Sequence, residues 1–123
     1  MCGIVGVFSK KQNHELWFSA LAKANDALIK RGPDAGNISY WPHAALAHRR
    51  LSIIDTSVTA NQPMIDSSGR FAIIFNGEIF NFSDLKNELI KRGIVFHTSS
   101  DTEVLLQLYK FDLAKDITVT HQT

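Results

Sequence analysis

Short apolar runs separated by polar residues dominate the first half of the chain, a pattern typical of strands. Gly3–Phe8 is apolar and bounded by polar residues, which predicts a buried strand almost at the N-terminus. Two further strands, joined as a hairpin, are predicted over residues 37–40 and 44–48. A polar loop over residues 56–69 separates this hairpin from another apolar run, residues 71–75, which is predicted as a strand.

A longer amphipathic segment follows the first predicted strand. Asn13 is suited to cap a helix, and apolar side chains then recur at helical spacing up to Lys30. Gly32 and Pro33 end this helix, because glycine suits the position just past a helix and proline cannot continue it. The side chains expected to face the core are Trp17, Leu21, Ala24 and Leu28.

Two more helices are predicted in the second half of the chain. Ser83 can cap a helix that closes at Gly93, and a short strand is predicted over residues 94–97. Ser100 and Glu103 have the spacing of a capping box, which opens the last helix. The apolar side chains expected to face inward are Leu85, Leu89 and Ile90 on the first of these helices and Val104, Leu105, Leu108 and Tyr109 on the second.

The order of these elements indicates the fold class. Alternating strands and helices with hairpin-like pairing predict an α+β fold with a largely antiparallel sheet. The 123 residues, of which 45% are hydrophobic, can bury one ordinary core and give no sign of a second domain. We therefore expect a single domain or a part of one.

Charge and cysteine content narrow the classes of function. The 13 basic and 12 acidic residues give a net charge of +1. The chain thus lacks the excess of basic residues that is typical of proteins that bind nucleic acid or an anionic membrane surface. The apolar runs are far too short to span a bilayer. The single cysteine cannot form an internal disulfide, and a thiol used chemically suits a reducing compartment. We expect a cytoplasmic protein that binds neither nucleic acid nor membrane.

Cys2 is the most informative single residue. Removal of Met1 would place a thiol nucleophile and a free α-amine on one residue. An α-amine with a pKa near ~8 can take the thiol proton and later return it to a leaving group. The alternative is a buried, inert cysteine at the start of a strand, which is the commoner situation for a lone cysteine.

Four polar motifs each have an adequate structural interpretation when taken alone. Arg-Gly-Pro-Asp at residues 31–34 is a helix stop plus a turn. His-Arg-Arg-Leu-Ser-Ile-Ile-Asp at residues 48–55 could be a strand end with solvated charge. Asn76 and Gly77 are the strongest short-range hairpin signal and favour a type I′ turn by local rules. Asp101 lies where an acidic side chain interacts favourably with the helix dipole.

These motifs occur in the chain together with four further ones: Cys-Gly-Ile-Val-Gly at 2–6, Gln-Pro-Met at 62–64, Phe-Asn-Gly-Glu-Ile-Phe-Asn at 75–81 and Ser-Ser-Asp-Thr-Glu at 99–103. Taken together and in order, they closely resemble the glutaminase domain of class II glutamine amidotransferases, in particular the asparagine synthase branch. The resemblance runs from residue 2 to about residue 110. Sibling branches, such as the glucosamine-phosphate synthases, share the N-terminal motif and an Asn-Gly but differ in other segments. The resemblance implies the N-terminal part of an N-terminal nucleophile hydrolase sandwich.

The resemblance also implies a reaction. The sulfur of Cys2 attacks the carboxamide carbon of L-glutamine, which gives a γ-glutamyl thioester and ammonia. Water then hydrolyses the thioester to glutamate. The Asn76 side-chain amide and the Gly77 backbone N–H are the expected donors to the oxyanion.

Recognition of the amino-acid end of glutamine is implied in the same way. Arg50 would bind the α-carboxylate as a planar fork, and Asp101 would bind the α-ammonium. Arg49, the neighbour of Arg50, is expected to stay solvated. Backbone groups that would complete the pocket belong to Leu51, Ser52, Ile53, Ile54 and Glu78.

The rest of the family's enzyme is expected to lie elsewhere. The resemblance implies a glutamine amidotransferase domain over residues 2–110 that is incomplete at its C-terminal end, followed by a divergent polar tail over residues 111–123. ATP and Mg²⁺ would belong to a synthetase domain that is missing or is a separate chain, so we expect no cofactor in this chain. That domain would receive the ammonia. An uncovered sheet edge would favour self-association.

Two other functions stay open at this point. The chain could be a truncated, non-catalytic remnant or binding module that keeps the glutamine-site residues without the oxyanion geometry. It could also hydrolyse another amide, although Arg50 and Asp101 match the amino-acid end of glutamine. Ammonia release from glutamine compared with asparagine would separate these functions.

Overall fold

A computed structural model describes residues 2–10, 15–51 and 60–115. The described part has an α+β fold with antiparallel sheets, as predicted, and this architecture is consistent with an N-terminal nucleophile hydrolase. In chain order the elements are β1 (Gly3–Phe8), α1 (Glu15–Ala27), β2 (Ala35–Trp41), β3 (Ala44–Arg50), β4 (Met64–Ile65), β5 (Ala72–Ile73), α2 (Phe82–Lys91) and α3 (Asp101–Lys115).

The main sheet has three strands in the order β1-β3-β2, with β3 antiparallel to both neighbours. The predicted strands over 3–8, 37–40 and 44–48 are confirmed, and β2 and β3 pair as the predicted hairpin. Gly3 lies opposite Arg49, and Ala35 lies opposite Arg50. The beginning of β1 and the end of β3 therefore meet at one end of the sheet.

Helix α1 packs on one face of this sheet. Leu21 is buried as predicted, but Trp17 is 52% exposed and Ala24 is also exposed, so this part of the prediction was wrong. The inward face keeps Leu21 but carries Phe18 and Asn25 in place of Trp17 and Ala24. The small side chains of two β3 alanines leave room for the helix. The core here consists of Leu21, Ala45 and Ala47, packed against Val5, Val7, Phe18 and Ile38.

Within the described residues, the second sheet consists of β4 and β5, which pair over two residues each. The strand predicted over residues 71–75 is therefore shorter than expected. Its pairing ends at Ile73, and the N–H of Phe75 donates to a side chain, Oε1 of Gln62, instead of to a neighbouring strand. No strand forms over residues 94–97, because the backbone N–H of His97 donates to a carboxylate.

Helix α2 begins at Phe82, so the prediction that Ser83 caps it was wrong. Asn81 occupies the N-cap position without a side-chain capping bond. Leu89 is buried as predicted, whereas Ile90 is 49% exposed. Gly93 ends the helix as predicted, and its φ of +90° lies in the left-handed region that favours glycine.

Helix α3 begins after Ser100, whose Oγ accepts a hydrogen bond from the Thr102 N–H at 3.1 Å, as a capping residue does. Glu103 does not close the predicted capping box. Its carboxylate instead accepts hydrogen bonds from the backbone N–H groups of His97 and Thr98 and from the Thr98 hydroxyl. The helix thus fixes the loop that leads into it. No helix in the described residues has the length and apolar character needed to cross a membrane.

Candidate functional site

A pocket of about 230 Å³ lies where the end of β3 meets the beginnings of β1 and α3. It brings together most of the residues predicted for the site, although Ser52, Ile53 and Ile54 lie outside the described residues. A volume of this size suits a ligand as small as an amino acid. The lining residues are Cys2, His48, Arg50, Leu51, Ala60, Gln62, Phe75, Asn76, Gly77, Glu78, Ser100, Asp101 and Thr102.

Cys2 is half-buried at the mouth of β1. The backbone N–H of Leu51 donates to its Sγ at 3.3 Å, and the thiol lies 3.7 Å from the Leu51 carbonyl oxygen. Both contacts come from the residue that follows β3. The pairing of β1 with β3 therefore holds the sulfur at the wall of the pocket.

Arg50 is 93% buried at the end of β3, and its Nη1 donates to Oδ1 of Asn61 at 2.6 Å. Gly32 packs directly beneath it, since a Cβ on Gly32 would lie 2.6 Å from the Arg50 nitrogen and collide with the Arg49 carbonyl group. The N–H of Asp34 donates to the Arg50 carbonyl oxygen at 2.9 Å. The Arg-Gly-Pro-Asp segment is therefore more than a helix stop, because it fixes the backbone that carries Arg50.

Arg49 was expected to be solvated, and this expectation was wrong. Its side chain is half-buried, and its Nε donates to the Gly32 carbonyl oxygen at 2.9 Å. The guanidinium lies across Gly36, where the absence of a side chain makes room for it. Arg49 thus fastens the Gly32 segment to the sheet, while Arg50 lines the pocket.

Asn76 and Gly77 lie in an exposed segment of the pocket wall. The hairpin favoured by local rules is absent, because the chain continues from Gly77 into α2 and not into a paired strand. Gly77 also lacks the positive φ that a type I′ turn requires; Gly69 and Gly93 are the left-handed glycines of the described residues. A Cβ on Gly77 would lie 2.9 Å from the ring of Phe75.

Asp101 is the first residue of α3 and is 94% buried. Its Oδ2 accepts a hydrogen bond from the Ile79 N–H at 3.1 Å. The carboxylate therefore lines the pocket and also fixes the position of the Ile79 backbone, two residues after Gly77.

His48 and Gln62 are two pocket residues to which sequence reasoning assigned no role. His48 Nε2 lies 3.2 Å from the Phe75 carbonyl oxygen, and Gln62 Oε1 accepts the Phe75 N–H at 2.5 Å. Burial lowers the pKa of His48; the Phe75 carbonyl raises this pKa in part, and the charge of Arg50 lowers it further. Both residues belong to motifs quoted from the sequence, but their contacts are long-range and leave no local signal.

The pocket combines a thiol, a buried cation, a buried carboxylate and exposed amide donors. This set can bind a zwitterionic amino acid and support acyl transfer to sulfur. Residues 1–117 match the family described as the glutamine amidotransferase domain. The chain belongs to this family.

Relatives of this glutamine amidotransferase domain are asparagine synthetases. It is 42% identical to asparagine synthetase [glutamine-hydrolyzing] 1 of Bacillus subtilis and 40% identical to asparagine synthetase B [glutamine-hydrolyzing] of Escherichia coli. It is 34% identical to asparagine synthetase [glutamine-hydrolyzing] 3 of Arabidopsis thaliana. Each match covers 89% of this chain but only 18–20% of the relative. The chain thus spans about a fifth of the length of these enzymes.

The described residues of this glutamine amidotransferase domain contain no group of three or more His, Cys, Asp or Glu side chains able to hold a metal ion. Asp101, an acidic residue of the pocket, accepts a hydrogen bond from the backbone N–H of Ile79.

Proposed function

We propose that this chain hydrolyses L-glutamine to glutamate and ammonia, with Cys2 as the nucleophile. The observation that carries the proposal is the convergence of Cys2, Arg50, Asp101 and the Asn76–Gly77 pair on one pocket. These residues come from the start of β1, where Cys2 precedes Gly3, from β3, from α3 and from the segment before α2, so their convergence is a property of the fold. Membership in the glutamine amidotransferase family supports glutamine as the substrate.

The reaction proceeds through a thioester. After removal of Met1, the Cys2 α-amine takes the thiol proton, and the sulfur attacks the carboxamide carbon while the carbonyl electron pair moves to oxygen. The Asn76 amide and the Gly77 N–H stabilise this oxyanion. The C=O bond re-forms, the C–N bond breaks, and the α-ammonium of Cys2 donates its proton to the leaving nitrogen, which departs as ammonia. Water then attacks the thioester carbonyl carbon while the α-amine takes a proton from it. The C–S bond breaks, that proton returns to the Cys2 sulfur, and glutamate leaves.

Substrate recognition uses opposite charges. Arg50 binds the α-carboxylate of glutamine, and Asp101 binds its α-ammonium. Backbone groups of Leu51, Glu78 and residues 52–54 complete the contacts. Burial of Arg50 and Asp101 supports this assignment, because both charges are held in a fixed geometry beside the pocket.

The ammonia passes to a synthetase domain that uses ATP and Mg²⁺ and serves asparagine biosynthesis in the cytoplasm. The names of the relatives support this partner. The hydrolytic half-reaction at Cys2 needs no cofactor. The glutamine amidotransferase domain extends over residues 2–110, and residues 111–123 form a divergent tail, although α3 continues to Lys115.

Glutamate and ammonia release from L-glutamine tests this proposal. We expect the unmodified chain to release both products from glutamine and little ammonia from L-asparagine, whereas Cys2→Ser should bind glutamine without turnover. Glutamine binding by calorimetry without turnover in the unmodified chain would indicate a binding module. Equal turnover of asparagine would indicate a different amidase.

A further inference from the structure

Both backbone polar groups of Phe75, the residue before the Asn76–Gly77 pair, are bound by side chains and not by a strand. We propose that His48 and Gln62 are positioning residues that hold the backbone on both sides of Phe75, so that the oxyanion donors of Asn76 and Gly77 face Cys2. This inference rests on the function proposed above, for which the donors are needed.

The backbone of Phe75 lies beyond the end of the second sheet, since the β4–β5 pairing stops at Ile73. Its N–H donates to Oε1 of Gln62 at 2.5 Å, and its carbonyl oxygen lies 3.2 Å from Nε2 of His48. A backbone segment without ladder partners needs other partners to keep one orientation. Here two buried side chains supply them.

Gln62 connects the Phe75 N–H to α3. Its Nε2 donates to Oγ1 of Thr102 at 3.0 Å, and both side chains are almost completely buried. The next anchor along the chain is the Ile79 N–H, which donates to Asp101 in the same helix turn. The exposed segment that contains Asn76 and Gly77 is therefore fastened at both ends.

His48 supplies the anchor from the sheet. It lies on the central strand β3, opposite Ile4 of β1 and Asn37 of β2, and its side chain is 99% buried. A carbonyl oxygen can only accept, so Nε2 carries the hydrogen. Burial lowers the pKa of the ring and so favours the neutral form with its hydrogen on Nε2. Within the described residues, the buried Nδ1 has no hydrogen-bond partner. The hydrogen bond to the Phe75 carbonyl oxygen is thus the polar contact that this ring makes within the described residues.

Loss of the contacts that His48 and Gln62 make with Phe75 should lower kcat and leave the affinity for glutamine nearly unchanged. Donors to an oxyanion are effective only when they are held in place before the charge develops. A displacement of about 1 Å can cost about 10²-fold in rate. Arg50 and Asp101 bind the other end of glutamine, so KM should change much less than kcat.

Three variants separate this role from general stability. His48→Leu removes the donor to Phe75, His48→Gln retains an amide N–H donor, and Leu89→Ala opens a cavity in α2, where Leu89 is 2% exposed and does not line the pocket. We expect His48→Leu to lower kcat by at least about 10-fold with KM within about 3-fold. His48→Gln should recover most of kcat, and Leu89→Ala should lower only stability. Equal kcat for His48→Leu and Leu89→Ala would overturn the proposal.

Backbone amide signals give a readout that does not depend on turnover. In ¹⁵N-labelled protein, His48→Leu should shift or broaden the amide signals of Asn76 and Gly77, whereas Leu89→Ala should leave them in place. Gln62→Met, which removes the acceptor for the Phe75 N–H, provides the same test if His48→Leu does not fold. Unchanged Asn76 and Gly77 signals would overturn the positioning role. No turnover of glutamine by the unmodified chain would contradict the proposed function. The amide signals would still show whether His48 and Gln62 hold the Asn76–Gly77 segment in place.

Discussion

Arg49 and Arg50 are neighbours with different surroundings, and they allow a matched test of substrate recognition. Arg50→Lys should raise KM for glutamine by about 10-fold or more, because an ammonium cannot reproduce a bidentate fork to a carboxylate. Arg49→Lys should lose the bond to the Gly32 carbonyl and lower the free energy of unfolding by about 1 kcal/mol, with a smaller effect on KM. Steady-state kinetics and urea denaturation measure both effects. A larger rise of KM in Arg49→Lys would reverse the assignment.

His48 gives the folding stability a defined pH dependence. Burial lowers the pKa of this ring in the folded chain, so below the usual histidine pKa of about 6.5 the unfolded chain binds a proton that the folded chain does not. Stability should therefore fall as the pH drops through 6.5 towards the lowered pKa. Urea denaturation at pH 7.5 and pH 5.5 should show a smaller pH effect for His48→Gln, which cannot titrate. The same pH effect in both proteins would contradict this account.

At the residue scale, the pocket residues could be predicted from the sequence only because the motifs that contain them resemble a known family. Cys2, Arg50, Asp101 and Gly77 lie far apart in the chain, and each has an ordinary local interpretation. The structure brings them to one pocket. The contacts of His48 were beyond prediction, because a bond between residues 48 and 75 depends on how separate elements pack.

At the scale of secondary structure, Gly32 links the turn after α1 to the end of β3. Gly32→Ala should place a methyl against the backbone of Arg49 and Arg50, lower stability by about 1–3 kcal/mol and raise KM by displacing Arg50. Gly69→Ala is a matched control, because φ is +73° there and no atom of the described residues lies within 4 Å of the added carbon. It should cost about 1–2 kcal/mol of stability and leave KM unchanged. Equal KM values in the two variants would show that Gly32 does not position Arg50.

The long elements were predictable because their own residues specify them. Continuous apolar character predicted β1, and apolar side chains at helical spacing predicted the three helices. Of the predicted caps, Ser100 is confirmed, Ser83 is wrong, and Asn13 lies outside the described residues. The strand predictions were wrong where a side chain forms the hydrogen bond that a neighbouring strand would otherwise form with the backbone. Gln62 binds Phe75 and so shortens β5, and Glu103 binds the N–H of His97, where a strand was predicted. Such side-chain bonds are not encoded in a local pattern.

At the scale of the whole molecule, the outer strand β1 presents apolar surface. Phe8 is 77% exposed and Ile4 is 46% exposed on this strand, which has β3 as its only partner in the described sheet. Exposed apolar edges favour association. We predict that the chain self-associates in sedimentation velocity and that Phe8→Lys shifts it towards the monomer. Leu16→Lys, on α1, is the control, since Leu16 is 72% exposed but not on a strand. A purely monomeric unmodified chain would contradict this prediction.

The central claim is that Cys2 attacks the side-chain carboxamide of glutamine in the described pocket. The most direct measurement is mass spectrometry of the chain after incubation with the glutamine analogue 6-diazo-5-oxo-L-norleucine, with and without excess L-glutamine. We predict a single adduct on Cys2, protection by L-glutamine, and no adduct in Cys2→Ser. An adduct on another residue, or labelling of Cys2 that glutamine does not slow, would contradict the claim.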